Sequence, residues 1–120
     1  MENIYMQKGA DKVVNTCMKV KPGEQILIVT EYSRLSIAAS IASEVYRVGA
    51  EPSICIMEPR KSDGEEPPRN IASAMLESDG FISVVGKSIT HTNAVKAAIE
   101  AGSRGLVLTH FTEEMMVHGG

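Results

Sequence analysis

The chain is predicted to fold as a three-layer α/β domain of flavodoxin/Rossmann-like type. Its sheet is expected to be short, mostly parallel and four-stranded, in the order 2-1-3-4, with helices on both faces. Two observations predict this. The strand-like runs, such as Gln25-Ile-Leu-Ile-Val29, are continuously apolar rather than alternating, which suits strands buried on both faces of a parallel sheet. They also alternate with helical patterns of about one to four turns, the mark of repeated βαβ units, for which right-handed crossovers leave few topologies. A chain of 120 residues can bury one core, so residues 1–120 are read as a single domain.

In order along the chain, Ala10, Val13, Val14 and Cys17, with Met18 beside them, mark one face of an amphipathic helix, which Lys21-Pro22-Gly23 stops. The run from Gln25 to Val29 is the first strand. From Ser33, the expected N-cap, to Val48 the apolar positions describe a helix with a broad buried face, and Gly49 supplies its left-handed stop. A second strand is expected at Ser53–Met57. The polar stretch Glu58–Pro68 must then be a loop, whose paired prolines suit the start of a helix at Arg69–Leu76. Gly80–Val85 reads as the third strand, followed by the turn Gly86–Thr92 and a helix through Ala101 capped by Gly102. Gly105–Leu108 reads as the fourth. Thr112-Glu-Glu-Met-Met resembles the start of another helix, with Thr112 as its cap.

Composition excludes several classes of function. The net charge is -3, with Lys and Arg scattered singly among acids, and only 4% of residues are aromatic with no Trp. The chain therefore has neither a basic stripe for a phosphate backbone nor stacking platforms, and no nucleic acid partner is expected. No membrane segment is expected either, because no stretch approaches the roughly 20 apolar residues that span a bilayer. The first residues carry Glu2 and do not resemble a signal peptide, which makes the cytoplasm the expected compartment. Cys17 and Cys55 sit at apolar-periodic positions and read as small buried hydrophobes.

In a sheet of order 2-1-3-4 the topological switch lies between strands one and three, and ligands bind outside the carboxyl ends of the strands there. Thr30 and Glu31, Glu58 and Arg60, residues 87–92 and residues 109–112 fall on that edge. The turn Gly86-Lys-Ser-Ile-Thr-His-Thr92 is its densest polar cluster. Lys87, Ser88, Thr90 and Thr92 are candidate ligand-binding residues, since a helix N-terminus presents unpaired N–H groups suited to an anion. Capping accounts for the hydroxyls equally well. Neither capping nor packing calls for an imidazole, so His91 is the candidate catalytic residue, able to transfer a proton.

Other clusters carry less. His110, His118, Glu113 and Glu114 lack the spacing of any single-helix zinc signature and are read as surface residues, so no metal ligand is assigned. Gly86-Lys87-Ser88 lacks the first glycine of a phosphate-binding loop, that position being Phe81. Asp63, Glu65 and Glu66 form an acidic loop, read as a solvated connector before a cation-facing lid.

Several segments resemble the N-terminal region of the aminopeptidase T-like (thermophilic aminopeptidase) metallo-exopeptidases, a family whose relatives include ring-cleaving dihydroxypyridine dioxygenases. They are Gly9-Ala-Asp-Lys, Val20-Lys-Pro-Gly-Glu24, Val48-Gly-Ala-Glu51, Met57-Glu-Pro-Arg60, Gly64-Glu-Glu-Pro-Pro68, Lys87-Ser-Ile-Thr-His-Thr92 and Thr112-Glu-Glu-Met-Met116. The chain departs from the pattern at Thr109-His110-Phe111, where relatives tend to have a Pro-Gly-hydrophobic turn, which leaves the path after the fourth strand open.

The resemblance implies the N-terminal domain of a longer hydrolase that releases N-terminal amino acids from peptides. Its divalent metal is expected in a C-terminal catalytic domain, with no cofactor in this chain. The implied partners are that C-terminal domain and a peptide or small-molecule substrate, with room for a homodimer. The isolated chain is expected to be inactive. Two alternatives stand beside this reading: a stand-alone module that binds small anions, and the N-terminal domain of an iron-dependent ring-cleaving dioxygenase of the same architecture.

Overall fold

The structure, a computed structural model, describes residues 2–110 and 113–117. Helix α1 (Glu2–Asp11) runs on into a wider π-helical turn, Lys12–Cys17. Ala10, Val13, Val14 and Met18, the expected helical face, are all buried, and Cys17 packs partly buried against the same core. Strand β1 (Gln25–Thr30) leads through a single 3-10 turn, Tyr32–Arg34, into α2 (Leu35–Arg47). Ser33 does not cap this helix, contrary to expectation. The helix is approached through the 3-10 turn, whose closing bond runs from the Arg34 N–H to the Glu31 carbonyl at 2.9 Å. The stop is as predicted, with Gly49 at φ +92°, a left-handed conformation that glycine adopts without a Cβ penalty.

Strand β2 (Glu51–Ile56), α3 (Arg69–Glu77), β3 (Gly80–Val84), α4 (Asn93–Glu100) and β4 (Arg104–His110) follow close to their expected bounds. The four parallel strands stand in the order β2-β1-β3-β4, as the βαβ pattern requires.

The end of the chain differs. Glu113–Val117 is not a helix but a fifth strand, β5, antiparallel to β4, with Gly105 opposite Val117, Leu106 opposite Met116 and His110 opposite Glu113. Thr112, the expected cap, lies outside the described residues. The outer side of β4 would otherwise be a bare row of N–H and C=O groups, and a ladder along it outweighs the weak local signal of Thr-Glu-Glu.

Successive strand side chains point to opposite faces, so the central strands β1 and β3 each feed two cores. On one face Ile26, Ile28, Ile82, Val84, Leu106 and Leu108 pack beneath α1 and α2. On the other, Leu27, Val29 and Phe81 meet Ile71 and Met75 of α3 and Val95 and Ala98 of α4. The result is the expected three-layer arrangement.

The amino edge of the sheet is tied across its width. Glu24 binds Arg104 through two bonds of 2.8 Å, and Asp79 accepts from the Gln25 N–H at 2.8 Å. Among the described residues no helix is long and apolar enough to cross a membrane.

Candidate functional site

The opposite, carboxyl edge holds the candidate site. Where β1 and β3 part, Thr30 and Glu31 end β1 and are almost fully buried. The Thr30 hydroxyl donates to the Val84 carbonyl at 3.0 Å, while a Glu31 carboxylate oxygen accepts from the Gly86 N–H at 3.1 Å and pairs with the Arg34 guanidinium at 3.3 Å. A Cβ at Gly86 would stand 3.2 Å from that same Glu31 oxygen, so the residue is small where the carboxylate approaches the backbone. Sequence reasoning placed Glu31 on this edge but had no signal for its partners. Gly86 is 55 residues away along the chain, and Arg34 was hidden in what read as the first turn of a helix.

From Gly86 the chain turns toward α4. The Thr92 hydroxyl caps that helix, accepting from the Val95 N–H at 3.2 Å and donating to the Ile89 carbonyl at 2.7 Å. The capping role of Thr92 is thus realised. Ser88 and Thr90 bond each other through their hydroxyls at 2.7 Å, and Lys87 is exposed.

The carboxylates of the acidic loop before α3, exposed to solvent at Asp63 and Glu66, are also bonded within the protein. Asp63 accepts from the Ser88 N–H at 2.9 Å, and the Gly64 N–H donates to the Ser88 carbonyl at 2.9 Å. The carboxylate of Glu66 reaches the first turn of α4, accepting from the Asn93 N–H at 2.7 Å and the Ala94 N–H at 3.1 Å. Glu65 accepts from the Lys61 N–H at 2.8 Å and lies 3.8 Å from Arg60, whose Nε is buried without a partner among the described residues. Negative charge at the N-terminus of a helix is favourable, and here the protein supplies its own. Glu66 stands where an external anion would stand.

Thr90, His91 and Thr92 line one open groove of about 410 Å³, together with Lys96, Ile99 and Glu100 along the flank of α4. Lys87 and Ser88 do not line it. His91 is exposed there, with a cation and a carboxylate on the same flank. A larger groove of about 770 Å³ lies between α1 and α2, lined by residues such as Gln7, Ser36, Ser40 and Arg47. Among the described residues no group of three His, Cys, Asp or Glu could hold a metal ion, and His118 lies outside them.

A mostly parallel sheet between helix layers, with polar turns at its carboxyl edge, defines the general class, a three-layer α/β domain. The chain has the same fold as part of a solved structure, wild-type AmpT from Thermus thermophilus. The two superpose with a TM-score of 0.60 at 14% sequence identity, over 92% of this chain and 37% of that one. The chain thus spans little more than a third of that structure's length. No family model matches the chain, and no curated protein does. At this identity the likeness is one of fold.

Proposed function

We propose that the chain is the substrate-side, N-terminal domain of a metal-dependent aminopeptidase-like hydrolase that releases N-terminal amino acids from peptides. The observation that carries this reading is the extent of the fold match: 92% of the chain aligns with AmpT, a thermophilic aminopeptidase, and fills only 37% of it. The segments that resemble the same family, the Ser88–Thr92 turn above all, support it independently of fold.

Among the described residues no cluster of His, Cys, Asp or Glu fits a divalent metal, and on this reading the metal is held in the C-terminal domain. What this chain contributes is the groove beside α4. His91 lines that groove and on this reading faces substrate or holds a proton, and the Lys96 and Glu100 charges suit a ligand that carries both an amine and a carboxyl function. The anion-module alternative is less well supported, because Glu66 already occupies the helix N-terminus on which it depends.

The test begins with the coding sequence beyond the Gly120 codon, expected to continue into a domain with spaced Glu, His and Asp residues. The encoded protein is then assayed on aminoacyl p-nitroanilides with and without added divalent metal. Metal-dependent hydrolysis is expected, with His91→Ala lowering kcat/KM roughly a hundredfold. A stop codon directly after Gly120, or a metal-loaded protein without peptidase activity, overturns the reading. Oxygen uptake on a dihydroxypyridine in the presence of iron would instead move it to the ring-cleaving relatives.

A further inference from the structure

Burying a charge is costly unless it is paired, and Glu31 is a buried charge at the topological switch. Its side chain is 7% exposed where β1 ends, between β2 and β3. One of its oxygens, Oε1, accepts from both the Gly86 N–H and the Arg34 Nε. The second of these bonds fixes one edge of the Arg34 guanidinium. Its terminal nitrogens have no hydrogen-bond partner among the described residues, and neither is shut away from solvent. Arg34 is thus held at one end and open at the other, with 29% of its side chain exposed.

Gly86 keeps that open end uncovered. A Cβ there would stand 3.5 Å from Nη2 of Arg34 and 3.2 Å from Oε1 of Glu31, so any larger residue would lie against the guanidinium. The turn that carries His91 begins at this glycine, yet neither Arg34 nor Gly86 lines the groove of His91.

We propose that Arg34 binds a carboxylate at this switch, with Glu31 as the positioning residue that holds its guanidinium and Gly86 as the gap through which the ligand reaches it. A guanidinium presents parallel N–H donors that match the two oxygens of a carboxylate. Glu31 and Arg34 are neutral as a pair, and the exposed Lys87 beside Gly86 adds the positive charge. Tyr32, 76% exposed on the same 3-10 turn, offers an organic ligand an aromatic surface that inorganic phosphate cannot use. The identity of the ligand rests on the hydrolase reading above: the carboxylate is that of a peptide or of the released amino acid.

The test is a titration of the 120-residue chain with N-acetylglycine, a carboxylate without a free amine, at constant ionic strength. Nitrogen–proton correlation spectra follow the Gly86 amide and the Arg34 Nε–H, and saturable shifts are expected at both. Arg34→Lys, which keeps the charge and loses the fork, is expected to weaken binding about tenfold. Should that variant fold poorly, Glu31→Gln combined with Arg34→Gln leaves no buried carboxylate unpaired. The pair is expected to abolish saturation with an unchanged circular dichroism spectrum. Shifts that never saturate, shifts that gather at residues 93–96 in place of Gly86, binding unchanged in the variants, or inorganic phosphate binding as tightly as N-acetylglycine overturns the proposal. The titration involves no turnover, so its failure leaves the hydrolase reading standing, and a failed peptidase assay leaves the carboxylate site in place.

Discussion

A methyl group at position 105 would have nowhere to go. An ideal Cβ built on Gly105 would stand 2.4 Å from Cζ of Phe81, its directly opposed neighbour on β3, whose ring is fully buried. Gly105→Ala is accordingly expected to destabilise the fold by about 1–3 kcal/mol, the usual cost of overpacking a core. Urea denaturation checks this, and Phe81→Leu in the same chain should recover part of the loss. The glycine was visible in the sequence only as the start of a strand. Its reason could not be read there, because it depends on which residue of a distant strand stands opposite. Thr92 is the contrasting case: a hydroxyl before a helical pattern can be read as a cap from local sequence alone. Thr92→Ala should cost about 1 kcal/mol in the same measurement.

Among the elements, α4 shows how far local reasoning reaches. Its span and its left-handed stop at Gly102 follow from apolar spacing and glycine placement, whereas its second cap, the Glu66 carboxylate, comes from a loop 27 residues earlier. Charge runs in a sequence do not say what they face, so the acidic loop read as a solvated connector. Glu66→Ala should leave the Asn93 and Ala94 amides without their acceptor, speeding their hydrogen exchange while the amides of β1 and β3 keep their protection. β5 is the opposite failure. Thr-Glu-Glu is a fair helix-start signal, but the neighbouring β4 edge competes for the same residues, and such competition is invisible until the sheet order is known.

For the molecule as a whole, the parallel order was readable because continuous apolar runs, right-handed crossovers and a single core leave so few arrangements. The staple across the amino edge was not, since Glu24 and Arg104 are 80 residues apart. Its electrostatics make a prediction about acid. The two-bond pairing with Arg104 holds the Glu24 carboxyl below its ordinary value of 4.5, and the Arg47 guanidinium does the same for Glu44. A carboxyl whose value is lowered by folding contributes stability in full above its unfolded value and loses it as pH falls through the folded one. Stability should therefore decline as pH falls below the ordinary carboxyl value of 4.5, and Glu24→Gln should flatten that decline in urea melts recorded across acid pH.

The bonds between residues 63–66 and residues 88–94 also have a kinetic meaning. Ser88 both donates to and accepts from the loop before α3, and Glu66 holds the first turn of α4, so neither segment can open while the other stays closed. The two should behave as one cooperative opening unit, exchanging their amide hydrogens at a common rate and being nicked by protease together. Anything that shifts the backbone around His91 would thereby be felt at once in the loop that leads into α3, as a displacement shared by two segments.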